Sequence, residues 1–151
     1  MRLSGDHVAA LAVVDRLLRQ AQAPWWVIAG AAVALHATER LAVDDVDVLL
    51  AMCDVALIAE MPGLVRKGGA GDALFRSVFY ASLPVGGVDI EFMAGFELCG
   101  ATGWQPVWPR SRVFVQIGDL AVPTPERSEL IAMLTAFGRP KDLQRVRLLD
   151  R

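Results

Sequence analysis

The stretch Val43-Asp44-Asp45-Val46-Asp47-Val48-Leu49-Leu50 sets three aspartates inside an otherwise apolar run. Its valines, leucines and alternation predict a β-strand. Side chains two apart on a strand share a face. Asp45 and Asp47 therefore face one way and Val46 and Val48 the other, with the two aspartate Cα atoms roughly 6–7 Å apart. Asp44 falls on the valine face and is expected to cap or pair locally. Two carboxylates on one face repel each other unless a cation lies between them. Mg²⁺, a hard cation, suits carboxylate and phosphate oxygens. The same short pattern also occurs as a merely exposed strand face, so the pair needs support from elsewhere in the chain.

The chain has 151 residues, of which 54% are hydrophobic and 21% charged. That predicts one domain with a sizeable core and excludes global disorder. A net charge of −2 and a pI near 5.6 give no general electrostatic case for binding nucleic acid or an anionic membrane. Cys53 and Cys99 lack metal-ligand spacing and read as buried free thiols of a cytoplasmic protein. The N-terminal stretch carries Asp6, His7, Asp15 and several arginines and does not read as a signal peptide. No uninterrupted apolar run approaches the ~18 residues of a membrane span.

Around the aspartates the chain divides into short elements. Ser4-Gly5-Asp6 predicts the cap of a helix over about 7–21, ended by Ala23-Pro24. Trp25-Trp26-Val27-Ile28 reads as a strand, Ala29-Gly30 as a small-residue turn, and Ala31 to His36 as a helix. Such a turn lets a ligand approach the backbone and presents helix-start N–H groups to phosphate; it also serves plain helix–sheet packing. His36 reads as a polar cap or a packed imidazole. Arg40 can offset a phosphate, pair with an aspartate, or stand in solvent.

A short helix is expected over Cys53–Glu60. Arg66-Lys67-Gly68-Gly69-Ala70-Gly71-Asp72 is a basic, glycine-rich loop at the rim of a site or a hairpin connection, without the Gly-Lys-Ser/Thr of a P-loop. Ala73–Ser82 and Val88–Met93 read as strands. In the second, Asp89 and Glu91 share one face, a second pair of same-face carboxylates that would bring Asp89 beside Asp45 and Asp47. Trp104 and Trp108 suit an ordered loop, packed on the core or stacking a base. Arg112–Gln116 and Leu120–Val122 are further short strands. Thr124 is expected as N-cap of a helix with Pro125 in its first turn, running to Gly138. Arg139-Pro140-Lys141-Asp142 opens a last helix through Leu149.

In this order, the strand with Ala29-Gly30 and helix, Arg40, Asp45-Val46-Asp47, Val88-Asp89-Ile90, and Gly138-Arg139-Pro140-Lys141-Asp142 resemble the polymerase-beta-type nucleotidyltransferase superfamily. The similarity is closer to small bacterial members: toxin-like nucleotidyltransferases of abortive-infection systems, and lincosamide- or aminoglycoside-type nucleotidyltransferases. It covers roughly Trp25 to Leu149. It implies an α/β (α+β) nucleotidyltransferase-like fold, a short mixed sheet flanked by helices. The chain is then one domain over 1–151, with a core over about 25–122 and C-terminal helices over about 125–150.

The resemblance further implies transfer of a nucleoside monophosphate from an NTP to a hydroxyl acceptor with Mg²⁺ or Mn²⁺. Asp45, Asp47 and Asp89 would hold metal, and Asp89 would help activate the acceptor hydroxyl. Ala29, Gly30, Arg40 and Lys141 would contact or offset the nucleotide. Such chemistry needs in-line positioning and charge neutralisation, with two metals about 3.5–4 Å apart as the usual clamp. The acceptor could be a small molecule, an RNA end or a protein side chain, and a homodimer or partner protein could complete the site. Toxin–antitoxin and antibiotic-resistance roles both follow from the resemblance.

Three departures stand out. The resembled proteins usually have Gly-Gly or Gly-Ser where this chain has Ala29-Gly30. They often have a lysine in the helix before the Arg-x-Lys-Asp segment, which here reads Leu130-Ile131-Ala132-Met133-Leu134. They often have an acid near Gln144-Arg145. The competing expectation is therefore a weakened or inactive nucleotide-binding or interaction module that keeps the fold.

Overall fold

The aspartate run forms strand β2 (Asp45–Leu50) at the second position of a five-stranded mixed sheet. The computed structural model describes residues 3–68 and 71–151. β1 (Trp26–Ile28) pairs antiparallel with β2, and β2 pairs parallel with β6 (Val88–Ala94). β5 (Phe79–Val85) and β3 (Val65–Arg66) complete the order β1-β2-β6-β5-β3. Parallel strands cannot be joined by a tight turn. The long connection from β2 to β6 is filled by a 3-10 turn over Met52–Leu57 and by β3, β4 (Phe75–Arg76) and β5.

Helix α1 (Gly5–Leu17) packs on β2, β5 and β6, and α2 (Ala29–His36) follows β1 directly and packs on β1 and β2. α3 (Arg127–Phe137) and α4 (Pro140–Leu149) pack on each other and on α2. Two small sheets flank the main one: β4 with β7 (Glu97–Gly100) and β8 (Gly103–Pro106), and the hairpin β9 (Val113–Ile117) with β10 (Leu120–Thr124). One core joins them, with Val46, Val48, Leu50, Ile90, Phe92, Leu130, Leu134 and Leu149 fully buried. Burial of a Leu or Phe side chain contributes about 1.5–3 kcal/mol, so this layer dominates the stability. The mixed sheet flanked by helices matches the expected fold class.

Several local expectations shift. The first helix starts at Gly5 and stops at Leu17, because Ser4 Oγ accepts from His7 N and sets the cap early. The stretch from Ala73 to Ser82 is two strands, not one; Ser77 and Val78 break it, so β4 and β5 join different sheets. The helix expected near Cys53 is a 3-10 turn. Thr124 is no helix cap. It ends β10 fully buried, and its Oγ1 donates to Pro125 O while lying 2.7 Å from His36 Nε2. The helix instead begins at Arg127 after Glu126. Gly138 ends it with φ 71°, the left-handed cap that favours glycine. Both cysteines are free, but Cys53 is exposed, since the 3-10 turn lies at the surface. Gly69 and Ala70 of the glycine-rich stretch lie outside the described residues. No helix among the described residues is long and apolar enough to cross a membrane.

Candidate active site

Strand periodicity makes the acid face of β2. Val46, Val48 and Leu50 are fully buried, whereas Asp45 and Asp47 are partly exposed at the wall of an open pocket of about 450 Å³. The end of β1, the turn at Ala29, the loop after β3, β4, and the start of α4 supply its other walls. Five cations line it: Lys67, Arg76, Arg139, Lys141 and Arg145. Three acids, Asp45, Asp47 and Asp72, accompany them, and Phe75, Phe96 and Phe137 form an apolar patch. The three rings touch one another, with Phe75 and Phe96 stacked at 5.4 Å and Phe137 edge-on to Phe75 at 5.0 Å.

The acids interact strongly. Burial first, then the charges of Asp45 and Glu91, push the Asp47 carboxyl up to about 7, against the opposing pull of Arg145 and Lys141. Asp45 is raised too, by burial and then by Glu91 and Asp44. These sites disfavour their own negative charge, which is the condition a bound cation relieves.

The parallel register sets Asp89 opposite Asp45 and Glu91 opposite Asp47. Asp89 is exposed, whereas Glu91 is buried. Of the two acids, Glu91 is the one whose charge acts on both Asp45 and Asp47. Asp89 thus stands beside Asp45 as expected, exposed at the start of β6, and Glu91, one same-face position further in and buried, is the acid whose charge reaches both aspartates. Lys67 Nζ donates to Glu91 Oε1 at 3.0 Å, and Glu91 Oε2 is buried without a hydrogen-bond partner. Tyr80 lies alongside, its hydroxyl pushed up to about 12 by burial and by Glu91.

Residues expected to bind nucleotide divide between pocket and elsewhere. Ala29 and Lys141 line the pocket. Arg40 does not; it lies with Ser4, His7 and Asp44 at a separate hollow, because the segment from Leu41 to Asp44 carries it away from the site. Ala29 has φ 55°, the only non-glycine in the left-handed region among the described residues. The turn that small-residue pairs make is therefore kept, at a cost of roughly 1–2 kcal/mol for an L side chain. Gly30 is buried behind it, close against the Arg145 side chain. His36 bonds Thr124 and takes no part in the pocket; burial lowers its pKa.

Sequence reasoning assigned no role to Glu91, Arg139 and Arg145, although each lay within a quoted motif or beside one. Asp142 is fully buried and accepts from Arg139 Nε at 2.6 Å and from Arg139 Nη2 at 3.0 Å. The rim loop is shaped by Asp72, which accepts from Leu74 N and Phe75 N. Gly71 there has φ 83°, and a Cβ would stand 2.2 Å from Phe75 O. Trp104 lies under Arg76 at 4.3 Å, and Trp108, still exposed, is edge-on to Trp26 at 4.7 Å; neither lines the pocket.

Among the described residues, no group of three or more His, Cys, Asp or Glu is gathered tightly enough to hold a metal ion by itself. The donor chemistry nevertheless fits a hard divalent cation: two adjacent carboxylates with raised pKa, and behind them an acid with an unpartnered buried oxygen.

This architecture has close counterparts among solved structures. A Thermotoga maritima protein named only provisionally as a nucleotidyltransferase superposes with a TM-score of 0.75 at 16% identity, over 99% of this chain and 96% of its own. ANT(2″)-Ia, in complex with adenylyl-2″-tobramycin, gives 0.57 at 16% identity over 93% and 87%. An antigenic nucleotidyltransferase-like protein from Paracoccidioides brasiliensis gives 0.57 at 15% identity over 97% and 77%. The fold is that of the nucleotidyltransferases. No protein-family model matches the chain, and no curated protein matches it significantly.

Proposed function

We propose that the protein is a divalent-metal-dependent nucleotidyltransferase that moves a nucleoside monophosphate from an NTP to a hydroxyl acceptor. The observation that carries this is the Asp45–Asp47 pair, charge-frustrated at the wall of a pocket that five cations also line. An acid pair alone repels a triphosphate, and a cation cluster alone binds any anion. Acids and cations lining one pocket suit a metal–triphosphate complex.

In this reading Asp45 and Asp47 hold the metal, Mg²⁺ or Mn²⁺, which neutralises phosphate oxygens when bound. Lys141 faces the nucleotide's charge from α4. Ala29 lets phosphate approach the start of α2, with Gly30 behind it giving room to Arg145, and the Phe75–Phe96–Phe137 patch offers an apolar seat for a base or acceptor. The acceptor oxygen attacks the α-phosphorus, the bond to pyrophosphate breaks, and the hydroxyl proton passes to a carboxylate. In this reading Asp89, exposed and in register with Asp45, takes that proton rather than buried Glu91. The acceptor belongs to the hydroxylated molecules, whether small, an RNA end or a protein side chain. The lack of any overall basic charge disfavours a long nucleic acid.

A second reading, a non-catalytic nucleotide-binding module, is favoured by the strained Ala29 and the missing α3 lysine. Thermal shift with each NTP, with and without Mg²⁺, tests binding: the wild type should gain metal-dependent stability that Asp47→Ala loses. α-Labelled NTP with candidate acceptors then separates the two readings. Binding without label transfer under any metal and acceptor condition would leave only the module.

A further inference from the structure

Lys67 brings a tethered positive charge among the acids. It follows β3 directly, and its backbone N–H donates to Tyr80 O at 2.8 Å, so the chain stays on β5 one residue past the strand. Alternation sends Arg66 and Lys67 to opposite faces. Arg66 lies over the Phe79 ring, its Cζ 5.2 Å from the centroid, whereas Lys67 lies over Tyr80, its Nζ 5.3 Å from the centroid. Lys67 and Tyr80 line the pocket together with Asp45 and Asp47.

From there Lys67 Nζ donates to Glu91 Oε1 at 3.0 Å, joining a partly exposed ammonium to a buried carboxylate. Glu91 stands in register with Asp47 across the parallel ladder, and its charge acts on both Asp45 and Asp47. A second cation shared with the aspartate pair would draw on that charge. Yet one Glu91 oxygen is bonded to Lys67, and the other is buried without a partner. Mg²⁺ sheds its water reluctantly and demands near-ideal octahedral oxygen geometry. It would reach Glu91 only by displacing Lys67. An ammonium, a compact point charge with three rotatable donors, needs no such geometry. One divalent ion and one ammonium also match the charge of Asp45, Asp47 and Glu91.

We propose that the Lys67 ammonium takes the place of a second divalent cation at the acid wall, so that the pocket takes one metal ion, held by Asp45 and Asp47, where a two-metal clamp takes a pair. The proposal rests on the nucleotidyltransferase reading and deepens it. Lys67 offsets charge and moves no proton. Glu91 is a positioning residue that seats the ammonium, and the pairing of Lys67 N–H to β5 keeps its stem over Tyr80.

The test counts bound Mn²⁺ by electron paramagnetic resonance, with and without one equivalent of an α,β-methylene NTP analogue. The proteins are wild type, Lys67→Met, Lys67→Arg and the double variant Lys67→Met/Glu91→Gln. Calorimetry reports analogue binding alongside. The wild type should bind one ion per chain. Lys67→Met releases Glu91 and should gain a second ion, with the coupled signal of a pair about 3.5–4 Å apart. Lys67→Arg keeps the charge and should stay at one ion. The double variant should lose the second ion again. Melting temperatures identify a variant that fails to fold; if Lys67→Met does, the wild-type count decides.

A coupled pair in the wild type overturns the proposal, as does a folded Lys67→Met variant that still takes one ion. One ion in the wild type and two in Lys67→Met, without analogue binding, keeps the role of Lys67 and removes the transferase reading. A coupled pair in the wild type with analogue binding does the reverse. No bound Mn²⁺ in any of the proteins overturns both.

Discussion

β2 and β6 carry two opposite chemistries on their two faces. On one face Val46, Val48, Ile90 and Phe92 are fully buried. On the other, Asp45, Asp47 and Glu91 crowd negative charge into partly or wholly buried positions. The same backbone ladder holds both. The first face supplies stability, and the second is held in place against its own repulsion. Lys67, Lys141 and Arg145 offset only part of that repulsion, and a bound cation would relieve the rest.

Substitutions on the two faces should differ in sign. The largest effect belongs to the apolar face: Phe92→Ala should destabilise the protein by about 3–5 kcal/mol in urea denaturation, through lost burial and a cavity. A loss under 1 kcal/mol would mean that this face is not the core. On the acid face, Asp45→Asn should reduce label transfer at least about 10²-fold, roughly 3 kcal/mol of barrier, with little loss of stability. Retained transfer with retained fold would remove Asp45 from the chemistry.

The sharper contrast is in stability itself. With metal chelated at pH 8, Asp47→Asn should stabilise the protein by about 1–2 kcal/mol, a figure reduced because the pocket admits solvent. Asp47 in the folded chain holds its proton up to about pH 7, against an ordinary value of 3.8. The wild type therefore loses stability as pH rises through that window, and the advantage of Asn should shrink toward pH 5. An advantage equal at both pH values would refute the charge frustration. The smallest effect is at the turn: Ala29→Gly should raise stability by up to about 1 kcal/mol by relieving the left-handed φ, as read by thermal melting.

Much of this contrast was legible in the chain. Alternation in Asp45–Leu50 and Val88–Met93 set which residues share a face, because the strand period of two leaves no freedom once the strand is granted. The order of Ala29-Gly30, the aspartate pair and Arg139–Asp142 pointed to the fold that the solved structures share. Arg40 lies away from the pocket because a residue ahead of a strand, outside its period of two, has no direction set by the sequence. Thr124 differs from expectation because Thr-Pro suits a strand end as well as a helix cap. Glu91 stood in plain view on the right face, but only pairing to β2 and burial distinguish it from Asp89.

The sequence by itself determined the elements and their faces, since these depend on local periodicity and on residues such as Gly138 whose backbone preference is intrinsic. The tertiary structure alone decided which charges meet. The parallel register put Asp89 beside Asp45 and Glu91 beside Asp47 with only Glu91 buried, the packing of α4 on α2 laid Arg145 on Gly30, and the fold buried Asp142 beside two arginines. Coulomb interactions and desolvation depend on distance through space, and residues as far apart in sequence as Asp47 and Glu91 or Gly30 and Arg145 have no fixed distance until the chain has folded.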